Sequence, residues 1–265
     1  MDQFMTGKPP SNLDGKTAFV TGGLGLIGRE IVRAMADAGA STVILDIDDS
    51  RGATYADDLA NQGHNVHFEH FDIANLELVE EKIDLIWRKY GSLDIWVNSA
   101  YPHTGDWGAP AEELTLESWR ANVDMHMTGY CWVSWKVCLA MKEKGGSLVN
   151  LGSTYGVQAN DYSIYEGTGL TSPITYTAIK GGIINFTRAL ASYFGPFQVR
   201  VNNVCPGGIY DKQNETFVRN YSRRTPMRRM GKPKEIADAV VFVASDGASY
   251  ISGATLMVDG GWSIV

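Results

Sequence analysis

Tyr176 and Lys180 stand four residues apart in the run Tyr176-Thr-Ala-Ile-Lys180, and far upstream lies a glycine-rich turn, Thr21-Gly-Gly-Leu-Gly-Leu-Ile-Gly28. On a helix, residues four apart share one face, so the phenol and the ammonium point into the same space. A phenol with its free pKa of about 10 is a poor base at neutral pH. A fixed positive charge beside it favours the phenolate and draws that value toward the working range. The glycine turn offers a seat for a dinucleotide, and the pair offers proton transfer. Together they point to redox chemistry on an alcohol or a carbonyl.

Those groups need a scaffold. The chain has 265 residues with no linker, repeat or low-complexity tract, so the reading is a short arm over residues 1–12 and one domain over 13–265. A hydrophobic fraction of 44% is ample for a large core. A net charge of −7 argues against a nucleic-acid or anionic-membrane surface. The longest apolar run, Ala239 to Ala244, is far short of the about 20 residues a membrane span requires. The first ten residues have no apolar stretch of signal-peptide length. Cys131, Cys138 and Cys205 make no disulfide framework, and the seven-residue spacing of the first two fits one buried stripe of reduced thiols. A cytoplasmic address follows by elimination. His64, His67 and His70 invite a metal reading, but on a strand residues three apart face opposite sides, so no metal is expected.

Apolar runs of strand length alternate with helical patterns. Strands are expected at Thr17–Thr21, Thr42–Asp46, Val66–Phe71, Leu93–Asn98, Ser147–Leu151, Val199–Val204 and Thr255–Val258. Helices are expected at Leu26–Ala38, Arg51–Asn61, Leu76–Tyr90, Glu117–Lys142, from the Tyr176 segment to Tyr193, and at Glu235–Ala244. Strand–helix alternation with non-alternating apolar strands predicts an α/β fold, a doubly wound parallel sheet (Rossmann fold) with helices on both faces. Ligands then sit at the carboxyl ends of the strands.

In that frame Gly22 allows the tight turn, Gly25 lets backbone approach a pyrophosphate, and Gly28 lets helix and strand pack closely. The helix opening at Leu26, Ile27 and Gly28 presents free N–H groups and a positive dipole end to phosphates. Asp46 ends the second strand 18 residues after Gly28. Its carboxylate suits ribose hydroxyls and repels a 2′-phosphate. No Arg or Lys lies in Gly23–Ile27 to neutralise such a phosphate, so NAD is favoured over NADP. The alternative is that Asp46 is only a strand-end turn residue.

The combination resembles the short-chain dehydrogenase/reductase family in its compact branch, from about Leu13 to Trp262. The stretches that carry the resemblance are Thr21–Gly28, Phe71-Asp72-Ile73, Leu93 to Ala100, Leu148 to Ser153, Tyr176–Lys180, Pro206-Gly207-Gly208-Ile209 and Asp259-Gly260-Gly261. The resemblance implies that Tyr176 is the general acid/base and that Lys180 binds the nicotinamide ribose and lowers the phenol's pKa. It implies that Ser153 hydrogen-bonds the reacting oxygen, that Asp72 and Ile73 contact the adenine, and that Asn98 and Ala100 line the cofactor groove. It also implies that the backbone of Ile209, after Pro206 and Gly207, holds the nicotinamide carboxamide. For Tyr176 the competing reading is a core aromatic beside a snorkelling Lys180.

Four features depart from the family pattern. The glycine spacing looks like that of the longer sugar-nucleotide branch. Tyr101 stands where a glycine is usual. His126 stands where relatives carry a proton-relay asparagine, either as a substitute that donates and accepts or as a packed helix residue. Ser153 and Tyr176 are farther apart than usual, and the extra segment around Asn160–Pro173 is expected to loop over the substrate mouth. Substrate loops are therefore expected near 101–110, 155–175 and 208–230. In the last of these, Arg219, Arg223, Arg224, Arg228 and Arg229 place five positive charges in eleven residues. They can bind a substrate phosphate or carboxylate, or pair with acidic surface or a neighbouring subunit.

The loop from Tyr101 to Trp107 mixes aromatic faces with polar donors, which suits a carbohydrate or a subunit contact. Residues 98–102, Tyr165-Glu166-Gly167-Thr168 and Pro206–Ile209 also look like oxidoreductases of bacterial surface-glycan and flagellin-sugar pathways. The expected function is an NAD-dependent oxidoreductase of a hydroxyl/keto pair on a small, sugar-like or phosphorylated molecule. A cofactor-retaining sugar-nucleotide epimerase or dehydratase, and a dinucleotide-binding sensor or scaffold without turnover, are the alternatives. The family resemblance implies a homotetramer or homodimer, with the Glu117–Lys142 helix and the Tyr176 helix forming a bundle between partners.

Overall fold

The computed structural model describes residues 11–265, so most of the expected arm lies outside the described residues. In chain order the main elements are β1 (Thr17–Thr21), α1 (Leu26–Asp37), β2 (Ser41–Asp46), α2 (Asp49–Ala60), β3 (Val66–His70), α3 (Leu76–Tyr90) and β4 (Ile95–Asn98). There follow α4 (Leu116–Asn122), α5 (Gly129–Ala140), β5 (Gly146–Leu151), α6 (Ile174–Phe194), β6 (Val199–Pro206), α7 (Glu215–Arg224), α8 (Pro233–Ala244) and β7 (Thr255–Val258).

The seven strands form one parallel sheet in the order β3-β2-β1-β4-β5-β6-β7. The strands are apolar on both faces because helices cover both. Val20, Ile44 and Val149 pack against Ile31 and Met35 of α1 and Val240 of α8. On the other face Phe19, Trp96 and Leu148 pack against Val79 of α3, Val133 of α5 and Ile183 of α6. The chain winds outward from β1 through β2 to β3, then crosses back to pair β4 with β1 in parallel. That reversal opens a crevice at the carboxyl ends of β1 and β4, where an open α/β sheet holds its ligands.

Three departures from expectation bear on the site. The helix expected to run unbroken from Glu117 to Lys142 is interrupted by a π-helical turn over Val123–Thr128. There the Thr128 hydroxyl bonds the carbonyl of Val123, five residues back, at 3.5 Å. The wider turn accommodates one extra residue and swings His126 inward. Second, Glu215–Arg224, read from the sequence only as a basic segment, is a helix whose first turn is capped by Asn214 accepting from the Thr216 N–H. Third, Cys131 is half-buried, whereas Cys138 is buried on the same helix, so the two do not form one sealed stripe. Burial pushes both thiols up to about 12, which leaves them unreactive.

The three histidines near β3 go to separate neighbours: His64 to Asp37, His67 against the Tyr90 ring and His70 to Asp49. Among the described residues no helix is long and apolar enough to cross a membrane.

Candidate active site

A cleft of about 930 Å³ runs along the carboxyl ends of the strands. Its floor begins at the glycine turn. Gly22 adopts φ +63°, and a Cβ there would lie 2.4 Å from the Cα of Ala100. A Cβ on Gly28 would lie 2.1 Å from the carbonyl oxygen of Gly22. Only hydrogen at these two positions lets the turn, α1 and the loop after β4 meet. The Thr21 hydroxyl clasps that loop by accepting from the N–H groups of Ser99 and Ala100 at 3.1 and 3.4 Å. Among the described residues no side chain caps α1, and Gly25, Leu26, Ile27 and Gly28 line the cleft. The unpaired N–H groups of the first turn therefore face it. This is a cradle shaped for a pyrophosphate.

Asp46 lies beside the turn, its carboxylate accepting from Leu24 N–H at 3.1 Å and Ile47 N–H at 2.8 Å. Arg51 also lines this end of the cleft, a cation that the glycine motif does not reveal. It reaches back from α2 to the carbonyl of Leu24 at 3.4 Å and to Asp48 at 3.7 Å. Asp72 and Ile73 line the wall after β3, together with Phe71. At the far end are Pro206, Gly207 and Ile209. Ile209 forms a parallel bridge with Gly231 through the amides of Tyr210 and Gly231, which leaves its own N–H turned away from that pairing.

Asn98 does not line the groove. It is fully buried and belongs to a polar row beneath it. Asn98 Nδ2 donates to Asn150 Oδ1 at 2.8 Å and to Ser134 Oγ at 3.0 Å, and the Asn150 amide donates to Thr187 at 2.9 Å. Thr187 in turn bonds Asn203 at 3.0 Å. The asparagines share register across β4, β5 and β6, so the row ties together the strand ends that carry the site. Ser99 takes the lining position instead.

Ser153, Tyr176 and Lys180 converge on the cleft from the end of β5 and from α6. Ser153 and Tyr176 face the cleft together, and the Ser153 hydroxyl acts to lower the Tyr176 pKa against the larger effect of burial. Lys180 Nζ donates to the carbonyl of Leu151 at 2.8 Å and lies 5.7 Å from the centre of the Tyr176 ring. In this geometry the ammonium does not lower the phenol's pKa, contrary to expectation. Burial raises Tyr176, with Tyr101 adding to the effect, and burial alone pulls Lys180 down to about 7. Desolvation penalises both charged forms, and at this separation it outweighs their attraction.

His126 is sequestered behind this group rather than exposed to it. Its ring packs edge-on to Tyr101 at 5.3 Å and against Tyr130 at 5.2 Å. Among the described residues, both ring nitrogens are buried without a hydrogen-bond partner. Burial, with Lys180 nearby, holds its pKa well below the usual imidazole range, so it is neutral.

The loop segments that close over Tyr176 come from two places. Tyr101 and Trp107 stand edge-on to the Tyr176 ring at 5.9 and 6.0 Å. The segment after β5 forms a short turn at Tyr162–Tyr165. It packs on α7 through Tyr165 against Phe217, and Asn220 donates to the carbonyls of Ile164 and Glu166. The five arginines do not reach the cleft. Arg224 pairs with Asp161 at 3.1 Å, Arg229 pairs with Glu235 at 2.5 Å, and none of the five is among the described residues that line the cavity.

Comparison with known proteins follows the same lines. The family described as "Enoyl-(Acyl carrier protein) reductase" matches residues 25–263. The chain is 30% identical over 255 residues to the post-translational flagellin modification protein A of Campylobacter coli, covering 95% of this chain and all of that one. Among solved structures, a gluconate 5-dehydrogenase from Burkholderia cenocepacia J2315 in complex with NADP and tartrate superposes with a TM-score of 0.87 at 27% identity, covering 97% of this chain and 98% of that one. A short chain dehydrogenase from Leptospira borgpetersenii serovar Hardjo-bovis with bound NAD+ gives 0.84 at 31% identity, with 99% of each chain covered. With the glycine turn, the switch-point cleft and the Ser153/Tyr176/Lys180 cluster in place, these matches identify the chain as a member of the short-chain dehydrogenase/reductase family of oxidoreductases.

Proposed function

We propose that the protein is an NAD-dependent oxidoreductase that interconverts a hydroxyl and a keto group on a small, sugar-like substrate. The observation that carries this reading is the convergence of Ser153, Tyr176 and Lys180 on the same cleft as the glycine turn. The cradle fits a dinucleotide. The first-turn amides of α1 suit the pyrophosphate, Asp46 the adenosine ribose, Asp72 and Ile73 the adenine, and Ala100 the groove between them. Lys180 suits the nicotinamide ribose, and the Ile209 N–H the carboxamide. A bound nicotinamide supplies the site for hydride gain or loss.

The chain's own groups handle the proton. Tyr176, kept protonated by burial, gives its proton to the carbonyl oxygen in the reducing direction and takes one from the substrate hydroxyl only as the phenolate, while the Ser153 hydroxyl steadies charge on that oxygen. His126, held neutral behind Lys180 and Tyr101, would act as a relay only through water admitted to its two ring nitrogens, both of which are buried and unpartnered among the described residues. Asp46 favours NAD, and Arg51 beside it is the residue through which NADP would be tolerated. The likeness to a gluconate 5-dehydrogenase bound to tartrate supports a polyhydroxylated substrate. The engagement of Arg224 and Arg229 elsewhere favours an uncharged substrate over a phosphorylated one. Association into a homodimer or homotetramer through α5 and α6, action in the cytoplasm, and a single domain with substrate loops near 101–110, 155–175 and 208–230 complete the proposal.

The test is absorbance of reduced nicotinamide during turnover of free polyols, sugar phosphates and nucleotide sugars, with NAD and NADP in parallel. Tyr176→Phe is expected to lower kcat by about 10²- to 10⁴-fold with little change in cofactor affinity. Undiminished turnover in that variant would remove Tyr176 from the chemistry. Product formation without any net absorbance change would favour a cofactor-retaining epimerase.

A further inference from the structure

We infer that Tyr101 is a substrate-recognition residue whose hydroxyl binds a second oxygen of the substrate, so that the preferred substrate is a polyol and not an isolated secondary alcohol. This rests on the oxidoreductase reading above and narrows its substrate class.

The loop that carries Tyr101 is built, not slack. The Thr104 N–H donates to Asn122 Oδ1 at 3.0 Å, and the Asn122 amide returns a bond to the Thr104 hydroxyl at 2.7 Å. Ser118 donates to Asp106 at 3.0 Å, and the Tyr130 hydroxyl donates to the carbonyl of Ala100 at 2.8 Å. The loop is thereby pinned to α4 and α5, on both sides of Tyr101. Its ring is held edge-on to Tyr176 at 5.9 Å with an interplanar angle of 83°, and Tyr101 lines the same cleft as Ser153, Tyr176 and Lys180.

The hydroxyl is oriented by Trp107, whose Nε1–H donates to it at 2.8 Å. An indole can only donate, so that bond occupies a lone pair of the phenol and leaves its proton free. Among the described residues no hydrogen bond is made by that proton. Tyr101 is half exposed, and a phenol with an ordinary pKa of about 10 already keeps that proton at physiological pH. Tyr165, which approaches Tyr176 from the opposite loop, is instead packed against Phe217 of α7. Ser153 and Tyr176 line the cleft together and suit one reacting oxygen. The free proton of Tyr101 therefore meets a different oxygen on the same molecule. A site with a committed donor discriminates against an analogue that lacks the matching oxygen.

The experiment compares a vicinal cyclohexanediol with cyclohexanol as substrates, in the presence of NAD, for wild type and for Tyr101→Phe and Trp107→Phe. Tyr101→Phe keeps the ring wall and deletes only the hydroxyl. It is expected to lower kcat/KM for the diol by about 10- to 100-fold while changing the mono-alcohol by about twofold or less. Trp107→Phe, which frees the hydroxyl without removing it, is expected to give a smaller loss confined to the diol. Equal losses on both substrates, or a wild type that does not prefer the diol, would overturn the assignment. Oxidation of cyclohexanol that is abolished by Tyr176→Phe upholds the oxidoreductase reading whatever Tyr101 does. If wild type oxidises neither compound, the polyol assignment fails along with its premise for this substrate class.

Discussion

Lys180 is the residue whose environment is most sharply set by the fold. It is 3% exposed, bonded to one carbonyl and flanked by two phenol rings, and its pKa falls to about 7. In the unfolded chain it returns to about 10.4. Between those values the unfolded chain holds a proton that the folded chain does not, so stability rises as pH climbs through that window. Below the folded value both states are protonated and the penalty is constant. Denaturant midpoints of the cofactor-free protein at about pH 7.5 and about pH 9.5 should therefore show a gain at the higher pH that Lys180→Met abolishes. A parallel pH response in wild type and variant would mean that the lysine is hydrated in solution. The spacing of Tyr176 and Lys180 was legible in the sequence, but the direction of their pKa shifts was not. Helix geometry places the two groups on one face, whereas desolvation depends on everything packed around them.

At the scale of elements, the turn between β1 and α1 decides whether the cleft exists. With the Gly28 Cβ position only 2.1 Å from the Gly22 carbonyl, Gly28→Ala must push α1 off the turn. The expected cost is about 1–3 kcal/mol of stability, as for other overpacked sites, together with weakened dinucleotide binding. Chemical denaturation and fluorescence titration with NAD measure the two effects, and unchanged cofactor affinity would show that the turn yields without harm. A second element-level device joins α7 to the segment after β5. Arg224 pairs with Asp161, stacks over Trp262 at 5.1 Å and bonds the carbonyl of Val265. Trp262 stacks on Tyr221 at 4.4 Å, and the Tyr221 hydroxyl accepts from Gly208 N–H at 2.5 Å. The segment after β5, α7, residues 262–265 and the loop after β6 are thus one connected body. This assigns the basic segment a structural duty that its charge alone did not suggest.

Across the whole molecule, α5 and α6 leave apolar surface uncovered. Trp135 and Leu139 on α5 and Tyr193 on α6 are exposed at 39%, 42% and 69%, on the helices proposed to meet a second subunit. Trp135→Glu combined with Leu139→Glu should shift the protein to a smaller assembly by light scattering coupled to size-exclusion chromatography, since burying a carboxylate without a partner is costly. A wild type that already runs as a monomer would dismiss the proposed contact.

Sequence by itself determined the parallel sheet, because its apolar runs are too short for helices and do not alternate, and it determined the glycine turn and the Tyr176–Lys180 pair, because both are local spacings. It could not determine the π-helical turn at Val123–Thr128, since an inserted residue leaves no periodic mark until neighbouring elements pack around it. Nor did it show that Asn98 is buried in a row with Asn150 and Asn203, or that Arg51 reaches the Asp46 end of the cleft. Those placements depend on strand register and on how far α2 swings over the sheet. They are properties of contacts between residues distant along the chain, and only the assembled fold brings them into being.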